Sequence, residues 1–256
     1  MPKPTEEESL RRIVTQLSLT GKWQDYYLPC DYLVLDVETT GFSSVKNRIV
    51  SVGFCAVKDC AIVNDIHSGQ SANVVIKWPE EVFDGCQSAI DIHGIDYNRS
   101  QREGVEPVEA MMMLNDAIKW ARAENMFIVG HNLLKFDMPF LGMELNRAGI
   151  KNNIVAEEVV DTHALCKAMQ LGMIPGANES SFDYFTRVTS FRAKGVFSNL
   201  EKYCIDRFDL RSRYGVDSTE AHDSGYDCWL THLVMQGLNE MLGLQSSSLA
   251  AVEAPW

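Results

Sequence analysis

Asp36 and Glu38 stand two residues apart at the exit of the apolar run Tyr32-Leu33-Val34-Leu35. Alternate residues of a strand point to one face, so the two carboxylates converge. Two anions held that close repel and raise each other's pKa unless a cation lies between them. Hard oxygen donors at this spacing suit Mg2+ or Mn2+, which take few protein carboxylates and keep positions for water and phosphate. Two further acids occupy comparable places: Asp137 ends the segment His131-Asn132-Leu133-Leu134-Lys135-Phe136-Asp137, and Asp227 follows His222 in Ala221-His222-Asp223-Ser224-Gly225-Tyr226-Asp227. Four carboxylates and one histidine are the inventory of a site that binds two divalent metal ions and activates a water, which points to phosphodiester hydrolysis.

The elements that must position these residues follow from pattern. Strands are predicted at 31–37, 48–57, 72–78, 126–131 and 156–161, and helices at 7–19, 107–123, 137–148, 162–170, 198–208 and 223–243. Pro139 falls in the first turn of the helix that starts near Asp137, where a missing N–H costs little, and Phe140, Leu141, Leu145 and Ala148 run down one face to Gly149. Taken singly, each acid has a plainer reading. An acid in a first helical turn interacts well with the helix dipole, and an acid pair after a strand is common. A lone histidine is more often a satisfied bystander than a catalyst, and His67, His163 and His232 are read that way because no acid motif surrounds them.

The conjunction is what is specific. Acid-x-acid, then His-Asn-x-x-x-Phe-Asp, then His-x-x-x-x-Asp, in that order and each at an element boundary, resembles the DEDDh exonucleases, the DnaQ-like family of the proofreading epsilon subunit, ribonuclease T and oligoribonuclease. Asp36-Val37-Glu38-Thr39-Thr40-Gly41 matches the family's first motif, His93-Gly94-Ile95 looks like the tripeptide that closes its early strand region, and Val160-Asp161-Thr162 with Leu165 resembles its last strand and following helix. A tyrosine branch would place its tyrosine at position 223, which is Asp223 in this chain, so the histidine branch is favoured. The resemblance implies an α/β, ribonuclease H-like exonuclease fold, with a five-stranded mixed sheet flanked by helices and its second strand antiparallel. It implies a 3′-5′ exonuclease that releases nucleoside 5′-monophosphates from single-stranded DNA or RNA 3′ ends. Asp36 would bridge two divalent ions, Glu38 and Asp227 would complete one site, Asp137 would support the other, and His222 would be the general base. Thr39, Thr40, Gly41 and Asn132 would cradle substrate with His93, and Phe42 and Phe136 would stack on bases or fill core. An integrase-like metal nuclease needs three acids but not His222, and a non-catalytic binding or scaffold protein would not need the full set.

Composition bounds the rest. The chain has 256 residues, 46% of them apolar, enough for one sizeable core. Its seven cysteines (30, 55, 60, 86, 166, 204, 228) form no Cys-x-x-Cys pair and are read as reduced thiols rather than a disulfide framework or zinc site. With no span-length apolar run and no signal-like start, a cytoplasmic protein with no membrane partner is expected. A formal net charge of −12 disfavours extended duplex binding and fits a shallow grip on a strand end, with a polymerase or a replication or repair complex as a further candidate partner. Residues 1–30 are read as an N-terminal extension, 31–243 as the exonuclease domain and 244–256 as a tail. The triple Met111-Met112-Met113 is read as core filling. Residues 169–197 are read as an insertion whose Arg187, Arg192 and Lys194 hold upstream phosphates or belong to a plain surface loop.

Overall fold

Tyr32 and Val34 alternate with Leu33, Leu35 and Val37 along one strand, and the two sets enter cores on opposite faces of a sheet. A computed structural model describes residues 3–19, 23, 27–63, 71–151, 154–217 and 222–244. The tail expected from residue 244 lies outside the described residues beyond Leu244, and so does His67. The central strand β1 (Tyr32–Thr39) pairs antiparallel with β2 (Ile49–Lys58), which also pairs antiparallel with the two-residue β3 (Ala61–Ile62) and with β4 (Ser71–Val75). On its other side β1 pairs parallel with β5 (Phe127–Gly130), and β5 pairs parallel with β6 (Val159–Asp161). This is the mixed sheet with an antiparallel second strand, enlarged by β3, a pairing too short to leave a periodic signal.

The helices are α1 (Glu6–Ser18), α2 (Gln87–His93), α3 (Tyr97–Glu103), α4 (Pro107–Ala123), α5 (Asp137–Arg147), α6 (Thr162–Leu171), α7 (Ser181–Ser190), α8 (Ile205–Arg207), α9 (Leu210–Tyr214) and α10 (Ser224–Met241). Helices α1, α6, α7 and α10 cover one face of the sheet, and α4 and α5 cover the other. Helix α1 shows why the sequence folds this way. Thr5 and Glu8 form a reciprocal cap at its start, and Leu10, Ile13, Val14 and Leu17 are fully buried at helical spacing, each contributing roughly 1.5–3 kcal/mol. No helix among the described residues is long and apolar enough to cross a membrane.

Several expectations are corrected. The helix predicted over 198–208 is a π-helical turn, Leu200–Cys204, followed by the single turn of α8. The strand predicted from 156 opens as a 3-10 turn, Ala156–Glu158, and the one predicted to 78 stops at Val75. Of the triple methionine only Met111 is buried, because three consecutive helical residues cannot share a face. Residues 169–197 are not a plain loop: α7 lies within them and buries Tyr184, Phe185 and Val188 in the core around Trp23. Cys30 and Cys60 form a disulfide, which overturns the reading of all seven cysteines as reduced. Their spacing carries no signal. The antiparallel β1–β2 pairing brings the entry of β1 beside the turn after β2, where the Cys60 N–H also donates to the Cys30 carbonyl at 2.9 Å.

One contact decides where α10 begins. Gly53 of β2 pairs with Asp36, and a Cβ on Gly53 would sit 2.1 Å from the Ser224 carbonyl oxygen, so only glycine lets the first turn of α10 rest on the sheet. Ser51, two residues away on the same face, joins its hydroxyl to that of Ser224 at 2.7 Å. Gly53→Ala is expected to lower stability by about 2 kcal/mol or more through overpacking against backbone. Urea unfolding measures it; a loss under about 0.5 kcal/mol would mean that α10 is not seated on this residue.

Candidate active site

Asp36 and Glu38 continue the face of β1 that Tyr32 and Val34 begin, which is the face α10 packs against. Asp227, one turn into α10, is thereby brought to the end of β1. A register shift between Glu38 and Thr39 ends the regular β1–β2 ladder there, as bulges beside functional sites do. Asp137, at the start of α5, is buried, and its Oδ1 accepts the Val37 N–H at 3.1 Å. His222 lies just before α10 in a left-handed conformation with φ 71°. All five line one cavity of about 340 Å³. Thr39, Gly41, Phe42, His93 and Phe136 line it as well.

Not every expected residue faces this cavity. Thr40 is buried and braces the loop after β1, its hydroxyl accepting the Arg48 N–H at 3.0 Å. Asn132 has φ 69°, and its N–H donates to Asp161 Oδ1 at 3.1 Å, so it shapes the turn rather than the cavity wall. His93 does not close a strand; it is the last residue of α2, capped by Gly94 in the left-handed region. Its Nδ1 accepts the Ile95 N–H, its Nε2 is buried without a partner, and burial lowers its pKa to about 4. Phe42 is 91% exposed and meets the half-buried Phe136 edge-on at 6.4 Å between ring centroids. Arg187 is not available to phosphates, because its guanidinium pairs twice with Glu179 at 2.6 and 2.7 Å.

Other residues of the site were not singled out from the sequence, although His131 and Asp161 stand in the quoted motifs. Glu201, on the π-helical turn, takes His222 Nε2 at 2.5 Å. Helix α2 supplies Ser88, Ala89 and Ile92 as a wall of the cavity. His131 also lines it, with Nδ1 against the Thr162 hydroxyl at 2.9 Å and Nε2 against the Ser198 carbonyl at 2.6 Å. Burial and the neighbouring His163 hold the His131 pKa down to about 3. Asp161 accepts from the N–H groups of Asn132, Leu134 and Ala164, tying the turn before Asp137 to the start of α6. Arg48 secures the loop after β1 from the other side. It pairs with buried Glu144 of α5 through Nε and Nη2 at 2.6 and 2.8 Å, and stacks on Trp78 at 3.8 Å from the ring centroid.

Carboxylates packed this closely favour a cation among them. Burial first, and then the neighbouring carboxylates, push Asp36 and Glu38 well above the usual range. Asp227 is raised in the same way, and Asp137 is raised to about 8. Asp227 Oδ1 is buried with no hydrogen-bond partner. Ligand atoms of Glu38, His222 and Asp227 lie within 4.8 Å of one another. Carboxylate oxygens, one of them buried without a partner, with an imidazole nitrogen beside them, are a fit for a divalent ion.

No family model matches the chain. Over 134 residues, 51% of this chain and 8% of the other, it is 27% identical to the PolC-type DNA polymerase III of Streptococcus suis. Among solved structures, a zinc-bound complex of Escherichia coli exonuclease I with single-stranded DNA superposes with a TM-score of 0.58 at 15% identity, covering 82% of this chain and 40% of that one. Exonuclease I without ligand gives 0.57 at 13% identity, with 82% and 42% covered. The chain has the exonuclease I fold. That is the fold which the motif resemblance implies, and the chain spans less than half the length of these relatives.

The sign of the site's pH dependence follows from the raised values. A carboxyl whose pKa is raised by folding contributes stability while protonated; that contribution is complete below its unfolded pKa, about 4, and is lost as pH rises through the folded value. With chelator present, stability is therefore expected to fall between about pH 4 and about pH 8, the folded value of Asp137. Asp36→Asn, which removes one of the repelling charges, should flatten this fall and raise Tm at pH 8. Magnesium should raise the wild-type Tm more at pH 8 than at pH 5 and do little for the variant. Parallel Tm profiles for the two proteins in chelator would remove the repulsion from the account.

Proposed function

We propose that the chain is a metal-dependent 3′-5′ exonuclease that trims single-stranded DNA or RNA and releases nucleoside 5′-monophosphates. The observation that carries this reading is the convergence of Asp36, Glu38, Asp137, Asp227 and His222 on one cavity of an exonuclease fold. Asp36, Glu38 and Asp227, with Asp137 in support, would hold two divalent ions, Mg2+ or Mn2+. Such ions, when bound, offset charge on the scissile phosphate and make a water more acidic.

The chain's own residues do the rest. His222 is the general base: a neutral ring that donates its Nε2 proton to Glu201 keeps its lone pair on Nδ1, and the carboxylate fixes that tautomer. The Thr39–Gly41 backbone receives the terminal nucleotide, with Phe42 and Phe136 presenting ring faces to its base and the α2 wall opposite. Exonuclease I structures carry single-stranded DNA and a dA16 oligonucleotide, which supports a single strand as substrate. The similarity to part of a PolC-type polymerase supports a polymerase-containing replication or repair complex as partner.

The test is digestion of 5′-labelled single-stranded DNA, single-stranded RNA, duplex and dinucleotide, with and without magnesium. The expected result is shortening from the 3′ end with mononucleotide product, abolished by chelator and by Asp36→Ala. Persistent cleavage under either condition would overturn the metal-dependent reading. His222→Ala should lower kcat by about 100-fold or more. Glu201→Ala should lower kcat by about 10-fold with KM unchanged, and Glu201→Gln, whose amide oxygen still accepts, should recover part of it. A Glu201→Ala enzyme with wild-type kcat would make that pairing incidental.

A further inference from the structure

A second cavity, of about 810 Å³, lies against the first and takes no part in the proposed chemistry. Among its lining residues are His163, Phe197, Ser198, Tyr203 and Arg207. One imidazole separates the two spaces. His131 lines the acidic cavity, while the groups it touches, the Ser198 carbonyl at 2.6 Å and the His163 ring at 5.5 Å between centroids, line the second.

The second cavity has the parts of a single-strand platform. Phe197 is 66% exposed, yet its backbone is fixed: its carbonyl accepts from Gln170 Nε2 at 2.6 Å and its N–H donates to Gln170 Oε1 at 3.3 Å. An exposed aromatic ring on a clamped backbone loses little freedom when a planar group stacks on it. His163 and Tyr203 add two further ring faces. The rim itself balances Asp206 against Arg207, and the lysines that add charge, Lys135 and Lys167, stand behind the lining near His163. Burial first, and then Lys167 and Lys135, hold the His163 pKa down to about 4. Arg207 is bonded to Glu6 at 2.9 Å, and Lys167 donates to the Thr189 carbonyl at 3.0 Å; Lys135, on the turn that leads to Asp137, is exposed and in no ion pair among the described residues. Stacking faces with exposed Lys135 close by, beside the acid-lined cavity, favour one kind of occupant.

The geometry points to a second nucleic-acid subsite, in which bases of a single strand upstream of the cleaved nucleotide stack on Phe197 beside His131, with their phosphates toward Lys135. It rests on the exonuclease reading for the direction of the strand. Stacking makes the subsite tolerant of base identity, and its distance from the reacting end makes it a determinant of length preference.

Two measurements on the full chain test this. In the first, wild type and Phe197→Ala digest a decamer and a dinucleotide in magnesium. The variant is expected to raise KM for the decamer by about 10-fold, within the range of one base–aromatic stack, and to leave kcat/KM for the dinucleotide unchanged. Equal effects on both substrates, or no effect on either, would overturn the proposal. In the second, decamers carrying 5-iodouracil at one position at a time are photocrosslinked in chelator and the adducts mapped. Adducts at Phe197 or Tyr203 from internal positions support the subsite; adducts there only from the 3′-terminal position, or from none, overturn it. Should wild type cleave neither substrate, the exonuclease reading fails, and the crosslink map still decides whether the cavity holds a strand.

Discussion

Four carboxylates in a partly desolvated cavity repel one another, and the surrounding architecture is arranged to hold them together despite that. Asp36 and Glu38 cannot separate, because they share one face of a strand held by β2 along its length and by β5 over Tyr32–Val34. Asp137 is held to the same strand by the Val37 N–H. Asp227 is carried in by α10, whose first turn rests on Gly53, directly across the ladder from Asp36. Each acid is thus fixed by an element whose own burial lies elsewhere, in one of the two apolar layers on either side of the sheet. Energy spent on repulsion at the site is offset by those layers, a division common where function opposes stability.

The same arrangement explains what was legible in the residue pattern. The period of two in Tyr32–Glu38 places the two acids on a face, and Pro139 with Phe140 and Leu141 marks where α5 starts, so Asp36, Glu38 and Asp137 could be located from local chemistry alone. Helix α10 was equally plain from its apolar spacing, and its first turn carries Asp227. What local patterns could not show are contacts between segments far apart in the chain. Glu201 and His222 meet only because the turn at 200–204 is wound as a π-helix, and nothing in Leu-Glu-Lys-Tyr-Cys announces that winding. The Cys30–Cys60 bond, the α2 wall and the Asp161 clamp on the turn at 131–134 are of the same kind. Thr40 and Asn132 do not line the cavity; the Thr40 hydroxyl and the Asn132 N–H shape the backbone that carries the facing residues.

The net charge of −12 looks hostile to a strand of phosphates, and the ion pairs sharpen the problem. Arg11, Arg48, Arg99, Arg147, Arg187, Arg207 and Arg213 are each committed to a carboxylate within the chain. With Lys58, Lys77, Arg102, Lys119 and Arg122 also paired, ion pairs among the described residues engage 12 of the 23 Lys and Arg side chains, and for single strands each phosphate contact by the others contributes about 0.7 to the salt slope of binding. On the proposed reading, affinity also draws on attractions that salt screens little: ring faces such as Phe42 and Phe197, and backbone at Thr39 and Gly41. An enzyme of the proposed kind would hold a strand end by shape and stacking as well as by charge. On that reading the acidic surface would act as a filter, since a strand end that enters the cavity and meets a cation held by the acids gains what offsets the repulsion on approach.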